Sequence, residues 1–212
     1  MSPVRSESGR RGSSDPRDAS PFDAAIARFD AANGEDPRRE RLDGADHPKE
    51  LVYARRMSEW LDRLAPDASE ALRLAVRCQH IQRWTIPRRH YPEGREGYRR
   101  WRTDLAQFHA ETAGRILKEV GYDETPIGRV QALLRKERLK ADPETQLLED
   151  VVCLVFLQYY FADFARQHDE EKLIDILRKT WRKMSARGHQ AALTIDLPPE
   201  LTALVHKAVA AE

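Results

Sequence analysis

The segment that most constrains the fold runs from Leu147 to Phe161 and is apolar on nearly every side. Asp142 and Pro143 precede it, and this pair is typical of a helix N-terminus. A helix that is apolar all round must be covered by other elements on every face. Its uninterrupted apolar run, residues 151–157, is far too short to cross a membrane. The segment therefore predicts the central helix of a globular core, and we expect no membrane partner.

Apolar residues recur at helical spacing through most of the remaining chain, with Pro, Gly, Ser or Asp at the ends of the stripes. These stripes predict further helices beginning near Ser20, Pro48, Asp67, Tyr98, Thr125, Asp169 and Pro199. Residues 35–46 read as a polar link, residues 82–97 as an irregular loop rich in Pro and Gly, and residues 192–197 as one short extended segment. No pair of strands is indicated, so we expect an all-α, single-domain, multi-helix bundle.

The 212 residues suffice for one domain with a core. Residues 1–19 are rich in Ser, Gly, Arg and Asp and are predicted to be a disordered tail, with one helical domain over residues 20–212 and C-terminal helices at 170–211. Cys78 and Cys153 fall in apolar helical stretches, which indicates buried, reduced thiols and a cytoplasmic protein. The N-terminus lacks the apolar core of a signal peptide.

The chemically most unusual segment runs from Gln79 to Arg102 and contains seven arginines, no lysine and four interleaved Trp or Tyr residues. Guanidinium groups grip phosphate or carboxylate through paired hydrogen bonds and also stack on aromatic rings. The segment therefore predicts an anion site, with Arg83, Arg88 and Arg89 on a phosphate. The alternative is that the arginines only lock a long loop against the aromatic rings. The net charge of +1 makes nucleic acid a minor possibility as partner.

Polar residues interrupt three of the predicted apolar stripes: Gln79 and His80 on the third helix, His109 on the fourth and Asp150 on the sixth. Burying such groups costs about 1–3 kcal/mol each unless they find partners. One solution is a hydrogen-bonded network in which Asp150 holds a histidine. The other is a divalent transition metal (Mn, Fe, Ni or Zn) bound by the two imidazoles and the carboxylate.

The order of these residues resembles the HD superfamily of metal-dependent phosphohydrolases over about residues 47–160. Residues 74–81 (LAVRCQHI) resemble its "LAALLHDI" helix, residues 109–117 the histidine helix that follows, and residues 147–151 the helix with the last aspartate. The resemblance implies His80, His109 and Asp150 as metal ligands and catalytic residues around a metal-bound water. The sequence departs from the pattern where the histidine–aspartate dyad reads Gln79-His80. The first histidine is either His47 or replaced by Glu50, which we interpret as an ordinary first-turn acid.

A longer resemblance runs from about Phe22 to the end of the chain. The segments CQHIQRWTIPRRHYPEGREGYRRWR, LEDVVCLVFLQ and KTWRKMS are similar to the domain-of-unknown-function family 4202 of bacteria and fungi. This family supplies no activity that could be carried over to individual residues.

The sequence thus predicts a divergent HD-like protein that binds a phosphorylated small molecule, most readily a nucleotide, and acts on it as a metal-dependent phosphohydrolase. The alternative is a non-catalytic anion-binding or regulatory module that has lost the metal. The predicted ligand-binding residues are Gln79, Arg83, Trp84, Arg88, Arg89, Arg99, Arg102 and Lys136. Nothing in the sequence indicates an oligomeric state.

Overall fold

The computed structural model describes residues 19–210, and about 70% of the chain is helical. The prediction of a mainly helical fold is confirmed. The predicted disorder of the tail falls, apart from residue 19, outside the described residues, as does the end of the last predicted helix at residue 211.

Ten α-helices and one two-stranded sheet make up the described part of the chain. The helices are α1 (Pro21–Gly34), α2 (Lys49–Leu64), α3 (Glu70–Arg77), α4 (Gly94–Glu119), α5 (Glu124–Leu134), α6 (Pro143–Val155), α7 (Phe161–Ala165), α8 (Glu170–Trp181), α9 (Ala186–Ala192) and α10 (Pro199–Val209). The strands are β1 (Arg39–Leu42) and β2 (Ala45–Pro48). Within residues 19–210, no helix combines the length and apolar composition that a membrane span requires.

Side-chain caps fix where several helices begin. The Ser20, Asp142 and Asp169 side chains each accept hydrogen bonds from backbone N–H groups in the first turn of α1, α6 and α8. Such caps satisfy donors that a helix leaves free at its N-terminus. The cap of α3 is Ser69 rather than the predicted Asp67.

The core forms where α2, α3 and α6 pack against one another, with α1 and α5 against α3. Helix α6 also contacts α9, so it is covered on several sides as its apolar composition predicts. Leu148, Val151 and Leu154 of this helix are fully buried. The thiols of Cys78 and Cys153 are likewise buried and unpaired.

The prediction that no strands pair is wrong, because residues 39–48 form an antiparallel hairpin. Leu42 lies opposite Ala45, and the two loop residues between them, Asp43 and Gly44, both have positive φ angles. This is the turn geometry that an Asp-Gly pair favours. The extended segment predicted at residues 192–197 is also wrong, since α9 continues to Ala192 and a turn follows it.

The loop predicted over residues 82–97 is shorter and more ordered than expected. It contains two short 3-10 turns, Arg83–Thr85 and Arg88–His90, and α4 already begins at Gly94. Gly97 permits this early start, because a Cβ there would lie 1.9 Å from the carbonyl oxygen of Pro92. The close approach anchors the end of the loop on the first turn of α4.

A widened π-helical turn, Phe156–Tyr160, follows α6. It directs Phe156 and Tyr160 into one large cavity, whereas Gln158 lines a separate cleft beside Trp60. Such turns are rare and frequently lie at functional sites. The predicted single helix through residue 161 is therefore interrupted where its aromatic residues reach the cavity.

Candidate functional site

Two adjacent chambers open beside the core. The large chamber encloses about 600 Å³ and is lined by α2, α4, α6, the π-helical turn and α8. The small chamber encloses about 420 Å³ and lies between α4, the end of α5 and the turn after α3. Four residues line both chambers and are called the boundary residues below: His80, Arg83, Arg102 and Lys136.

Basic residues outnumber acidic residues on the wall of the large chamber. The acids are Glu50 and Glu149, and the basic residues are Arg38, Lys49, Arg83, Arg102, Lys136 and Lys183. Both acids are already paired. The Glu50 carboxylate accepts a hydrogen bond from Arg38 at 2.6 Å, and that of Glu149 accepts one from Lys136 and lies 3.8 Å from the Lys183 ammonium.

Three of these basic residues have no acidic partner. Within residues 19–210, no carboxylate forms an ion pair with Arg83, Arg102 or Lys49. The Arg83 guanidinium lies 4.8 Å from the centre of the Trp101 ring, and Lys49 lies 5.8 Å from that of Tyr160. Uncompensated cations on a concave wall concentrate the positive potential where an anion can enter. This wall therefore carries an excess of positive charge.

The His80 imidazole is held in one orientation. It stacks on the Tyr53 ring at 4.1 Å, and its Nδ1 faces the Glu50 carboxylate at 3.4 Å. Its Nε2 lies 2.9 Å from an Arg83 nitrogen, which can only donate. Nε2 therefore accepts, and the ring proton sits on Nδ1. Burial first, and then the charges of Arg83 and Arg102, hold the pKa of His80 well below its ordinary value, so the ring is neutral at pH 7.

Among the described residues, two buried side chains that line the small chamber each have one polar atom without a hydrogen-bond partner. These atoms are Oε1 of Gln79 and Nε2 of His109. Both residues are about 95% buried, with exposed fractions of 5% and 4%. Burial, and then the neighbouring His80, lowers the pKa of His109 well below its ordinary value. The His109 imidazole is therefore neutral, as the Gln79 amide always is. Each side chain lacks a hydrogen bond that a buried polar atom normally makes.

Glu50 has a more specific place than that of an ordinary first-turn acid. It is buried between Arg38 and His80. Asp36, which is fully buried, accepts hydrogen bonds from the Glu50 backbone N–H and from the Arg38 guanidinium, each at 3.0 Å. The segment before the hairpin and the start of α2 are thereby fixed as one wall of the large chamber.

Lys136 follows the end of α5 with a φ of 56°, in the left-handed region that a lysine rarely adopts. Its ammonium points back to Glu149 on α6. Burial lowers the pKa of Lys136, and the Glu149 carboxylate only partly offsets this. Non-glycine residues held in this region cluster at ligand-binding positions.

The structure does not bring Asp150 together with the two histidines. Its carboxylate accepts hydrogen bonds from the backbone N–H of Ser185 at 2.7 Å, from the Ser185 hydroxyl and from Gln146. Asp150 lines neither chamber and instead fixes the start of α9. Within residues 19–210, no group of three or more His, Cys, Asp or Glu side chains is placed to hold a metal ion. Of the three residues that the HD resemblance assigns to a metal, only His80 and His109 are neighbours, with their ring centres 5.9 Å apart.

The arginine-rich segment divides between the cavity and the surface. Gln79, Arg83, Arg102 and Lys136, all predicted to bind the ligand, line one or both chambers. The other predicted ligand-binding residues, Trp84, Arg88, Arg89 and Arg99, line neither. The Arg88 guanidinium donates to the backbone carbonyl of Tyr91 at 2.9 Å, whereas the stacking that the alternative interpretation proposed is formed by Arg83 on the Trp101 ring.

Sequence reasoning missed most residues of the large chamber, among them Arg38, Lys49, Tyr53, Tyr160 and Lys183. They come from the hairpin approach, α2, the π-helical turn and the segment after α8. From the sequence, only the assignment of residues to helices could have suggested that any of them lie on the same wall of the chamber.

The fold and the cavity together define a mainly helical protein with a positively charged internal site. The family model described as Domain of unknown function (DUF4202) matches residues 23–205, and the chain belongs to this family. No curated protein and no solved structure matches the chain.

Proposed function

We propose that the protein binds a phosphorylated small molecule of nucleotide size, with its phosphate in the large chamber against Arg83, Arg102 and Lys49. One observation carries the proposal: in the described part of the chain, three cations on one concave wall form no ion pair with a carboxylate, whereas both acids of that wall are paired. A dianionic phosphate supplies the missing charge and accepts the paired hydrogen bonds of a guanidinium.

The remaining walls support a ligand larger than inorganic phosphate. A volume of about 600 Å³ suits a small organic molecule. Tyr98, Phe156 and Tyr160 add aromatic surface to this chamber, and Tyr98 is half exposed. Such rings stack on planar groups, so the chamber favours a nucleotide over an aliphatic phosphate.

Isothermal titration with pyrophosphate and with adenosine monophosphate tests the proposal. Arg102→Met removes an unpaired boundary cation and is expected to weaken binding of both ligands about tenfold or more, since a hydrogen bond to a charged group contributes about 1.5–3 kcal/mol. The matched control is Arg99→Met, one turn earlier on α4, exposed and outside both chambers. It is expected to leave both affinities within about twofold.

The proposal fails if Arg102→Met binds like the parent, or if Arg99→Met weakens binding equally, because binding would then be a property of the surface. Repeating the titration in EDTA and in added manganese or zinc separates this account from the metal-dependent one. The proposal predicts the same pyrophosphate affinity in EDTA, and binding that requires added metal contradicts it.

A further inference from the structure

The small chamber differs from the large chamber in the polar side chains that line it. Its lining includes Gln79 and His109 in addition to the boundary residues, and Gln79 Oε1 and His109 Nε2 are buried without a hydrogen-bond partner among residues 19–210. Leaving a buried polar atom without a hydrogen bond costs about 1–3 kcal/mol. An incoming group that pairs with both atoms recovers that loss, whereas an apolar group does not.

The charges around these two atoms decide what kind of group fits. Gln79 cannot ionise, and His109 is neutral because burial and neighbouring positive charges oppose its protonation. Leu105 and Leu134 provide apolar surface, and the one acid of the chamber, Glu137, is half exposed and paired with Arg135. The positive charge lies at the boundary with the large chamber. The deeper wall therefore suits an uncharged group that both donates and accepts hydrogen bonds.

A hydroxyl group has this property. It donates to Gln79 Oε1 and accepts from His109 Nε2 when that nitrogen carries the proton, and in the other tautomer a second hydroxyl of the same molecule donates to Nε2. A carboxylate cannot donate to the amide oxygen, and an ammonium would meet the positive charges of Arg83 and Arg102. Several hydroxyls on a small carbon skeleton match a chamber of about 420 Å³ with both polar and apolar wall.

We infer that the ligand is a phosphate ester of a sugar, with the phosphate at Arg83 and Arg102 and the sugar hydroxyls in the small chamber against Gln79 and His109. This inference rests on the proposed phosphate binding and adds the chemistry of the esterified group. The sugar is either a free phosphosugar or the ribose of a nucleotide, and both present the same hydroxyl chemistry to the small chamber.

The test compares two phosphate monoesters of equal charge and similar length, ribose 5-phosphate and n-pentyl phosphate, by isothermal titration on the full chain. The parent is expected to bind ribose 5-phosphate at least tenfold more tightly. Gln79→Met, which keeps the length of the side chain, is expected to abolish that preference while leaving the affinity for pentyl phosphate within twofold. His109→Leu provides a second variant should the first fold poorly.

Equal affinity of the parent for the two esters overturns the inference and leaves phosphate binding intact, because the unpartnered atoms are then satisfied by water. Retention of the preference in both variants also overturns it. If the parent binds neither ester, the proposed function itself is refuted. Titration with adenosine monophosphate distinguishes the two sources of the sugar. If the parent binds it more tightly than ribose 5-phosphate and Gln79→Met loses this advantage, the sugar is the ribose of a nucleotide. If the parent binds it more weakly, the ligand is a free phosphosugar.

Discussion

Replacing Glu149 by glutamine should lower stability and strengthen anion binding at the same time. The carboxylate is buried on α6, accepts a hydrogen bond from Lys136 and lies 3.8 Å from the Lys183 ammonium. Burial raises the pKa of Glu149, but the charge and hydrogen bond of Lys136 outweigh it, so the pKa lies below its ordinary value and the group is ionised at pH 7. Glutamine keeps the shape and removes the charge.

The loss of stability should lie between the values for buried and exposed ion pairs. Breaking a fully buried pair costs about 3–5 kcal/mol and an exposed pair about 0–1 kcal/mol. The Lys136 side chain is 18% exposed and faces the cavity, so we expect a loss of about 2–3 kcal/mol. That corresponds to a fall in Tm of roughly 4–12 °C for a chain of this length. Removing one negative charge from the chamber wall should tighten pyrophosphate binding by about 1 kcal/mol, or roughly fivefold.

Urea unfolding followed by tryptophan fluorescence measures the first effect, and isothermal titration with pyrophosphate measures the second. Glu119→Gln, an exposed acid of α4 that pairs with Arg115 and with Arg28 of α1, is the control and should change stability by less than about 1 kcal/mol. Weaker pyrophosphate binding by Glu149→Gln would refute the reasoning, because Glu149 would then be positioning Lys136 for the ligand rather than competing with it.

Three further predictions follow from buried groups. His80 and His109 have pKa values in the folded state below the unfolded value of about 6.5, so the unfolded chain binds more protons than the folded chain below that pH. Urea unfolding at pH 7.5, 6.5 and 5.5 should therefore show stability falling as the pH is lowered, by up to about 1.4 kcal/mol per pH unit for each histidine. The double variant His80→Gln with His109→Gln should show a flatter dependence of stability on pH. Asp150→Asn weakens the anchoring of Ser185 and should cost about 1–3 kcal/mol in urea unfolding with unchanged pyrophosphate affinity, whereas lost affinity would place Asp150 in the site. Gly188→Ala should cost about 1–3 kcal/mol, because its Cβ would lie 2.7 Å from an Asp150 carboxylate oxygen; an unchanged Tm would contradict that contact.

The helical part of the fold could be predicted because its signals are local. Apolar spacing and capping residues such as Ser20 and Asp169 depend only on neighbours along the chain. The hairpin also had a local signal, the pair Asp43-Gly44, but its strands are short and largely exposed, so no apolar alternation revealed them. The start of α4 was missed because it depends on the close approach of Gly97 to Pro92.

The site could be predicted only where it follows a helix. Tyr98, Arg102, Leu105 and His109 recur at spacings of three or four residues and all line the chambers, whereas Arg99, three residues before Arg102, is exposed and lines neither. That spacing predicts which face of α4 lies towards the chambers, but Arg99 has the same spacing from Arg102, so it does not separate cavity arginines from surface arginines. The loop before α4 has no regular spacing of this kind. Which of its arginines line the chambers could therefore not be predicted from the sequence.

Asp150 was misplaced for a physical reason. A buried carboxylate requires partners, but sequence spacing does not distinguish a metal and two histidines from a backbone N–H and a hydroxyl. Ser185 supplies both of the latter from 35 residues further along the chain. Arg38 and Lys183 were missed for the same reason, because they reach the large chamber from segments that are far apart in the chain.

The most direct test of phosphate binding is the position of a bound phosphate analogue. Tungstate, soaked into crystals of the parent protein and located by its anomalous scattering, should lie within hydrogen-bond distance of Arg83 and Arg102, and it should be absent from crystals of Arg102→Met. Tungstate bound instead at the exposed Arg89 or Arg99, with none at the boundary residues, would contradict the account.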